Sequence, residues 1–176
     1  MGAGVYRSGS APHWHRQGAL CILDPGMRLS LQVHYAICGV FDLAYNGQGE
    51  PVQVRVIGER QGIPGRYLEQ IFQKLRVAEL IQGKRGPGGG YRLARSAAEI
   101  TLLHIIEAVE GPLEKESRMP AVDSPSGSVH RPDFLWADLA SRFGSALSET
   151  SVESLCRRAA QTGVARSSAE GLVYQI

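Results

Sequence analysis

The sequence has no long apolar run and no recognisable cysteine pattern. No stretch approaches the roughly 18 consecutive apolar residues of a membrane-spanning helix, and the apolar segment 19–23 is too short for the core of a signal peptide. The three cysteines, Cys21, Cys38 and Cys156, are odd in number and lack CxxC spacing, which argues against a disulfide framework and a zinc knuckle. We therefore expect a cytoplasmic protein with reduced thiols and no membrane partner.

Catalytic signatures are also missing. The five histidines belong to no GxSxG or HExxH motif, and no paired-carboxylate signature appears. The glycine-rich run 86–90 differs from a phosphate-binding nucleotide loop, because that loop ends in Lys-Ser or Lys-Thr and precedes a helix, whereas a strand-like segment follows here. We do not expect an enzyme.

The most informative feature that the sequence does contain is a basic, glycine-rich run from Lys84 to Leu93, directly after a helical pattern ending at Leu80-Ile81. Glycine adopts positive φ readily, so the chain can reverse here as a hairpin whose tip is basic and almost free of side chains. Such a tip can approach phosphates or place an arginine in a narrow minor groove. The run predicts a DNA-binding wing, with an ordinary glycine-rich hairpin as the alternative. The wing residues are Lys84, Arg85, Gly86, Gly88, Gly89, Gly90 and Tyr91.

Positive charge is concentrated around this run. Residues 54–95 carry nine Lys and Arg against three Glu, a net charge of +6 in a chain whose total is +2. This asymmetry is typical of a DNA-binding surface, although a solvated basic helix face would show the same composition. Double-stranded DNA is therefore the partner that we expect.

Helical patterns precede the wing in the order of a helix-turn-helix. Apolar residues recur at helical spacing from Leu29 to Asn46, a short helix over 54–61 ends at Gly62, and a further helix follows that buries one apolar face. The opposite face of this last helix carries long polar side chains able to reach bases or phosphates. They are Arg66, Glu69, Gln70, Gln73 and Lys74. The order predicts a winged helix-turn-helix, a mostly α fold with a small β-hairpin wing.

A second helical region follows the wing. Thr101 can cap a helix that ends at Gly111, and residues 114–132 form a polar connector. Residues 133–160 then hold a long helix with one apolar face and, after a capping box that starts at Thr150, a short last helix. The long helix is interpreted as a C-terminal dimerisation helix, with packing against its own domain as the alternative. Its apolar residues are Leu135, Trp136, Leu139, Phe143 and Leu147.

Both ends of the chain lack periodicity. We expect residues 1–26 to be a disordered leader, with Met27 as the true start, and residues 161–176 to be a disordered tail. The DNA-binding domain is expected to span residues 27–113.

The motifs of the DNA-binding half also occur together, in register, in a known family. They are Met27-Arg28-Leu29-Ser30, Glu59-Arg60-Gln61-Gly62-Ile63, Tyr67-Leu68-Glu69-Gln70-Ile71-Phe72, Leu75-Arg76 and Arg85-Gly86-Pro87-Gly88-Gly89-Gly90-Tyr91. On these segments the chain resembles the IscR/NsrR/CymR-type (Rrf-type) winged helix-turn-helix regulators, densely over residues 27–113 and loosely at the dimerisation helix. The resemblance implies a homodimeric transcriptional repressor that binds a pseudo-palindromic operator in double-stranded DNA.

The resemblance also implies roles for individual side chains. Tyr67, Glu69 and Gln70 would face the major groove, and Arg85 with the wing glycines would face the minor groove. Glu69 can accept a hydrogen bond from cytosine N4–H and repel phosphate where the base is wrong, so it would contribute more to base discrimination than to affinity. The alternative is that Glu69 only pairs with a side chain one turn away on a solvated helix face. Arg66, where relatives carry a small residue, would add a phosphate contact.

The connector departs from the cluster-binding members of this family. Their three cysteines, six residues apart, hold an iron-sulfur cluster, and the matching positions here are Arg118, Ser124 and His130. Because such clusters are held chiefly by thiolates, we expect a regulator without an iron-sulfur cluster and without another cofactor.

An alternative interpretation is that the protein senses a metal, haem or a redox change. His34 and Cys38 lie one helical turn apart, His34 stands where some relatives donate a fourth ligand, and His130 stands at a former ligand position. These three could bind zinc, iron or haem, whereas a core thiol at Cys38 and a solvated His130 are the competing interpretation. A redox role for Cys156 would need a lowered pKa.

Regulation by a partner molecule and no regulation at all are further alternatives. The signal could be a docked protein partner, as in the cysteine-metabolism members of the family, or a small-molecule effector. An architectural DNA binder without a signal would show low sequence discrimination and a steep salt dependence.

Overall fold

The computed structural model describes residues 29–113 and 133–167, without the side chains of residues 133, 134, 136 and 137. The predicted leader, the connector and the tail beyond residue 167 lie outside the described residues. Within these ranges the chain forms six helices and one antiparallel hairpin. They are α1 (Leu31–Tyr45), α2 (Val54–Gln61), α3 (Gly65–Val77), β1 (Ile81–Lys84), β2 (Gly90–Leu93), α4 (Leu102–Glu110), α5 (Asp133–Ser148) and α6 (Val152–Gln161). The predicted mostly α fold with a small β-hairpin wing is confirmed.

Local signals set most of the helix ends. Ser30 caps α1 by accepting a hydrogen bond from Val33 N–H at 3.2 Å. The helix α2 is capped at its C-terminal end by Gly62, whose φ of 65° lies in the left-handed region that glycine adopts readily. Thr101 caps α4 as predicted, and its partner in the capping box is His104. The cap of α6 is Ser151 rather than Thr150, because the Ser151 side chain accepts from the backbone N–H of Ser154.

The helix α1 lies at the centre of the core and contacts four of the other helices. Its close approach to α3 depends on Gly39, because a Cβ at this position would lie 2.7 Å from the Phe72 ring and 3.2 Å from Leu68. Phe72 and Leu68 are both fully buried. Truncation of a fully buried phenylalanine typically costs about 3–5 kcal/mol, so the α1–α3 contact contributes strongly to the stability of the N-terminal half.

The hairpin is attached to the rest of the fold at two places. Val52 and Tyr91 exchange two backbone hydrogen bonds of 2.8 Å, which form an isolated antiparallel bridge between the segment that leads into α2 and β2. The Tyr91 ring packs edge-on against Phe72 of α3, with the ring centroids 5.1 Å apart. The position of the hairpin is therefore tied to both helices of the helix-turn-helix.

The C-terminal helices pack on α4 through a backbone clasp. Leu102 N–H donates to Thr150 O at 2.9 Å, and Val152 N–H donates to Ile100 O at 2.8 Å. This clasp brings the end of α5 into the core, where Leu147 is 8% exposed. Leu147 is predicted from the sequence to lie on the exposed apolar face of this helix, but it packs in the core of its own chain.

Residues 162–167 follow α6 and fold back onto the end of α1. The phenol of Tyr45 donates to Val164 O at 2.8 Å, and the backbone N–H of Ser167 donates to the side chain of Asn46 at 2.9 Å. The sequence predicts disorder from residue 161 onward, whereas the described residues up to 167 have defined contacts, with partners about 120 residues away that no local pattern could indicate.

Candidate nucleic-acid interface

The outer face of α3 is polar and free of core contacts. Its buried face consists of Leu68, Ile71, Phe72 and Leu75. Four of the predicted DNA-contacting side chains lie together on the opposite, exposed face: Arg66, Glu69, Gln70 and Gln73. Tyr67 lies on the flank of this face and is 57% exposed. A helix with such a face can enter a major groove without unpacking the domain.

Lys74 differs from the other predicted contacts on α3. Its ammonium group donates to Gln32 Oε1 at 3.0 Å and to Val109 O at 2.9 Å. The Val109 carbonyl lies in the last turn of α4, where a cation is favoured by the helix dipole. Lys74 thus joins α3 to α1 and α4, and it would have to break both hydrogen bonds to reach DNA.

The end of α3 presents carbonyl groups to an arginine. Glu79 has a φ of 56°, and the backbone bonds Leu80 N–Leu75 O and Glu79 N–Arg76 O, both 3.0 Å, close the helix as a Schellman motif. The Arg95 guanidinium then donates to the carbonyls of Ala78 and Glu79 at 3.2 Å. Arg95 therefore joins the base of the hairpin to α3 rather than pointing freely into solvent.

The tip of the hairpin consists of backbone and two cationic side chains. Gly86 and Gly88 have φ values of 91° and 68°, and Gly89 N–H donates to Gly86 O at 2.8 Å, closing a tight turn. The side chains of Lys84 and Arg85 are exposed. Since Tyr91 is half-buried against Phe72, it anchors the wing and is not part of its exposed tip. The tip can bring cations and backbone N–H groups to phosphate or to a minor groove.

The first helix of the helix-turn-helix is held by a buried carboxylate that the sequence patterns missed. Asp42 of α1 is 0% exposed. One of its oxygens accepts from Arg60 at 3.1 Å, and the other accepts from Gln61 at 2.9 Å and from Asn46 at 3.0 Å. A buried charge is tolerated only when it is paired and hydrogen-bonded, so this network sets how α2 sits on α1. An aspartate on the apolar side of a helix is the one signal that could have indicated it.

The proposed metal ligands are only partly brought together. Cys38 Sγ and His34 Nε2 lie 3.8 Å apart on α1, and His130 lies outside the described residues. Among the described residues, no group of three or more His, Cys, Asp or Glu side chains is placed to hold a metal ion. The donor set does not fit a three-thiolate iron-sulfur site, because the described cysteines, Cys38 and Cys156, lie on different helices and the connector has none.

Cys156 does not have the lowered pKa that a reactive thiol needs. Burial raises the pKa of the Cys156 thiol, Arg166 opposes the rise, and Glu153 adds to it. Arg157, the next residue along the chain, pairs with Glu153 at 3.1 Å. At neutral pH Cys156 therefore stays a protonated and weakly nucleophilic thiol.

The described helices offer no membrane span, since none of them is both long and apolar enough to cross a bilayer.

The chain is similar to known transcriptional regulators over most of its length. The Rrf2 family, described as "Iron-dependent Transcriptional regulator", matches residues 29–158. The HTH-type transcriptional regulator IscR of Vibrio atlanticus (strain LGP32) is 38% identical over 131 residues, which are 74% of this chain and 76% of that protein. These relatives are regulators and not enzymes.

Solved structures agree with the sequence comparison. The structure of T. potens IscR superposes with a TM-score of 0.62 at 30% identity and covers 81% of this chain and 95% of its own. CymR (YrzC), the global cysteine regulator of B. subtilis, has a TM-score of 0.62 at 27% identity and covers 75% of this chain and 98% of its own. With its winged helix-turn-helix and these relatives, the chain belongs to the Rrf2 family of winged-helix transcriptional regulators.

Proposed function

We propose that this protein is a cytoplasmic, sequence-specific, homodimeric DNA-binding repressor. The observation that carries the proposal is the pairing of the exposed polar face of α3 with a basic wing tip, both tied to Phe72. Each α3 would enter a major groove of a pseudo-palindromic operator in double-stranded DNA, and each wing would reach the adjacent minor groove. Arg66, Tyr67, Glu69, Gln70 and Gln73 would contact DNA, whereas Lys74 would contribute by positioning α3.

Substitutions of Glu69 and Arg85 should separate base recognition from affinity. The specific site is first selected from a random duplex library. We expect Glu69→Ala to reduce the difference in binding free energy between this site and random DNA by about 1–3 kcal/mol, because a base contact is lost. Arg85→Ala should instead weaken binding on both kinds of DNA and reduce the salt dependence, because a phosphate or minor-groove cation is lost. Fluorescence anisotropy at several salt concentrations measures both effects.

The control for this experiment is Glu153→Ala, because Glu153 is exposed on α6 and forms a solvent-exposed ion pair with Arg157 of the same helix. This variant should bind both kinds of DNA like the parent protein. If Glu69→Ala lost as much affinity on random as on selected duplexes, as is expected of Arg85→Ala, the proposed role of Glu69 in base recognition would be wrong.

The exposed face of α5 supports the homodimer. Leu135, Leu139 and Phe143 recur every four residues and are between 37% and 47% exposed. Three large apolar side chains on one solvent-facing stripe indicate a surface that another copy of the chain would cover. Trp136 shares this helix, and Leu147 lies in the core of the protomer.

A charge on this stripe should dissociate the dimer. We expect Leu139→Glu to sediment as a monomer at micromolar concentration, because burying a carboxylate without a partner costs more than the contact gains. Ser141→Glu is the matched control, since residue 141 lies on the opposite, exposed side of the same helix. Analytical ultracentrifugation distinguishes the two. Dimers of unchanged stability in both variants would place the interface elsewhere.

We propose that the repressor works without an iron-sulfur cluster or another cofactor, and that its signal is a docked protein or a small-molecule effector. The absence of a cluster is inferred from the connector sequence, since Arg118, Ser124 and His130 stand where cluster-binding relatives have cysteine ligands. The contact between His34 and Cys38 favours one second candidate, a metal, haem or redox sensor completed by His130.

Spectroscopy on protein purified without oxygen separates these candidates. We expect a colourless protein with less than stoichiometric metal that still binds DNA. Visible absorption or one equivalent of metal, lost in His34→Ala and in Cys38→Ser but retained in Cys156→Ser, would establish the sensor instead. Cys156→Ser is the matched control because Cys156 lies on α6, whereas His34 and Cys38 both lie on α1.

A further inference from the structure

The segment 164–167, which we call the strap, lies against the C-terminal end of α1. Val164 O accepts from the buried Tyr45 phenol at 2.8 Å, and Ser167 N–H donates to Asn46 Oδ1 at 2.9 Å. Between them, the Arg166 guanidinium lies 4.8 Å from the centroid of the Tyr45 ring. Three different interactions, made by three of its four residues, thus hold the strap against the end of α1.

The end of α1 is incomplete without the strap. The last turn of α1 contains no basic residue, and Arg166 brings a cation over the ring of Tyr45, the last residue of that helix. Tyr45 is only 3% exposed and stacks on Phe41 at 5.1 Å. A buried phenol needs a hydrogen-bond acceptor, and Val164 O provides it.

Asn46 connects the strap to the helix-turn-helix. Its Oδ1 accepts from Ser167 N–H, while its Nδ2 donates to Asp42 Oδ2 at 3.0 Å. The orientation of the amide is defined by these partners, because a flipped amide would place its NH₂ group against an N–H donor and its oxygen against a carboxylate. Asp42 in turn accepts from Arg60 and Gln61 at the end of α2. A continuous set of hydrogen bonds therefore runs from the strap to α2.

The strap also has a defined position relative to the dimerisation helix. It follows α6, which begins at the backbone clasp that joins the end of α5 to α4. The same Arg166 opposes the rise in the pKa of Cys156, so its guanidinium lies within electrostatic reach of α6 as well as of α1. The strap therefore bridges the C-terminal half of the chain and the end of α1.

We infer that the strap is a positioning element that couples the C-terminal half of the chain to α2, through Asn46 and Asp42, and so sets the orientation of the helix-turn-helix. The effect of the strap on DNA binding rests on the proposed function. Its effect on α2 does not, because it follows from the hydrogen bonds alone. A strap that only capped α1 would leave α2 unchanged, which makes the two roles separable.

Hydrogen exchange of the full-length protein tests the positioning role. We expect Ser167→Pro, which removes the N–H donor to Asn46, and Arg166→Ala, which removes the cation over the Tyr45 ring, to accelerate exchange of the α2 amides. The expected factor is about threefold to tenfold for each, as for a local opening that loses one such interaction. The α4 amides lie outside the set of hydrogen bonds that runs from the strap to α2, and they should exchange as in the parent protein. Arg157→Ala on α6 is the matched control and should change neither helix, because Arg157 is exposed and forms an ion pair with the exposed Glu153 of the same helix.

The same variants are then measured for affinity on a selected DNA site and for dimerisation. We expect the Kd for DNA to rise by a factor similar to the acceleration of α2 exchange, whereas the dimerisation constant should stay unchanged. Faster exchange confined to the end of α1, or equal acceleration in α2 and α4, would overturn the inference, since the strap would then be only a cap or a general stabiliser. Faster exchange in α2 without DNA binding by the parent protein would contradict the proposed function and leave the positioning role standing.

Discussion

Replacement of Gly90 by alanine is expected to detach the wing from the segment that leads into α2. A Cβ on Gly90 would collide with the carbonyl oxygen of Val52 and would lie 2.5 Å from its carbonyl carbon and 2.9 Å from Gln53 N. All three atoms belong to the backbone, so no side-chain rotation can relieve the overlap. The φ of 154° adds to the cost, because L residues rarely adopt it.

The expected consequence is the loss of both hydrogen bonds between Val52 and Tyr91. We expect a loss of about 2–4 kcal/mol in the free energy of unfolding, from backbone strain together with two broken hydrogen bonds. The affinity for any DNA duplex should fall at least about tenfold, because the wing cations would no longer be held beside α3. Urea denaturation and fluorescence anisotropy measure the two effects.

Gly83→Ala is the matched control on the opposite strand. Gly83 pairs with Tyr91 in the register of the hairpin, and a Cβ there would lie 3.5 Å from the Tyr91 ring, an ordinary van der Waals distance. This variant should change the free energy of unfolding by less than about 1 kcal/mol and leave DNA affinity intact. Similar losses in both variants would mean that glycine matters in this hairpin for flexibility and not for the close approach to Val52.

Features that depend on neighbouring residues could be predicted from the sequence. The bounds of α2 agree with the predicted range 54–61, because Gly62 provides a local stop signal. The hairpin likewise follows from a run of glycines, because a tight turn needs residues that adopt positive φ. The exposed face of α3 follows from the period of 3.6 residues, which separates apolar from polar positions without reference to the rest of the fold.

Features that depend on distant partners could not be predicted in the same way. Lys74 has the spacing of a DNA contact, but its hydrogen bond to Val109 O joins residues 35 positions apart. Leu147 continues the apolar repeat of α5, but the clasp to α4 places it in the core. Helical periodicity identifies the face on which a side chain lies, whereas the element that covers this face is a property of the tertiary fold.

Asp42 is the clearest example, because its removal is expected to have the largest effect on stability of any single polar substitution in the described fold. The carboxylate is fully buried and accepts hydrogen bonds from Asn46, Arg60 and Gln61. Asp42→Ala would leave the Arg60 guanidinium, whose side chain is 21% exposed, without its counter-ion, and would leave two amides without an acceptor. Removing one partner of a buried pair typically costs about 3–5 kcal/mol.

Urea denaturation of Asp42→Ala, Arg60→Ala and the double variant measures this cost and its origin. We expect the double variant to be more stable than the sum of the two single losses implies, because a single substitution strands a buried charge and the double substitution does not. Glu59→Ala is the control: its pair with Arg55 is more than half exposed on both sides, and exposed pairs contribute at most about 1 kcal/mol. Additive losses for Asp42 and Arg60 would show that the two side chains stabilise the fold independently. In that case the orientation of α2 would depend on the apolar contact of Ile57 with the core rather than on the buried carboxylate.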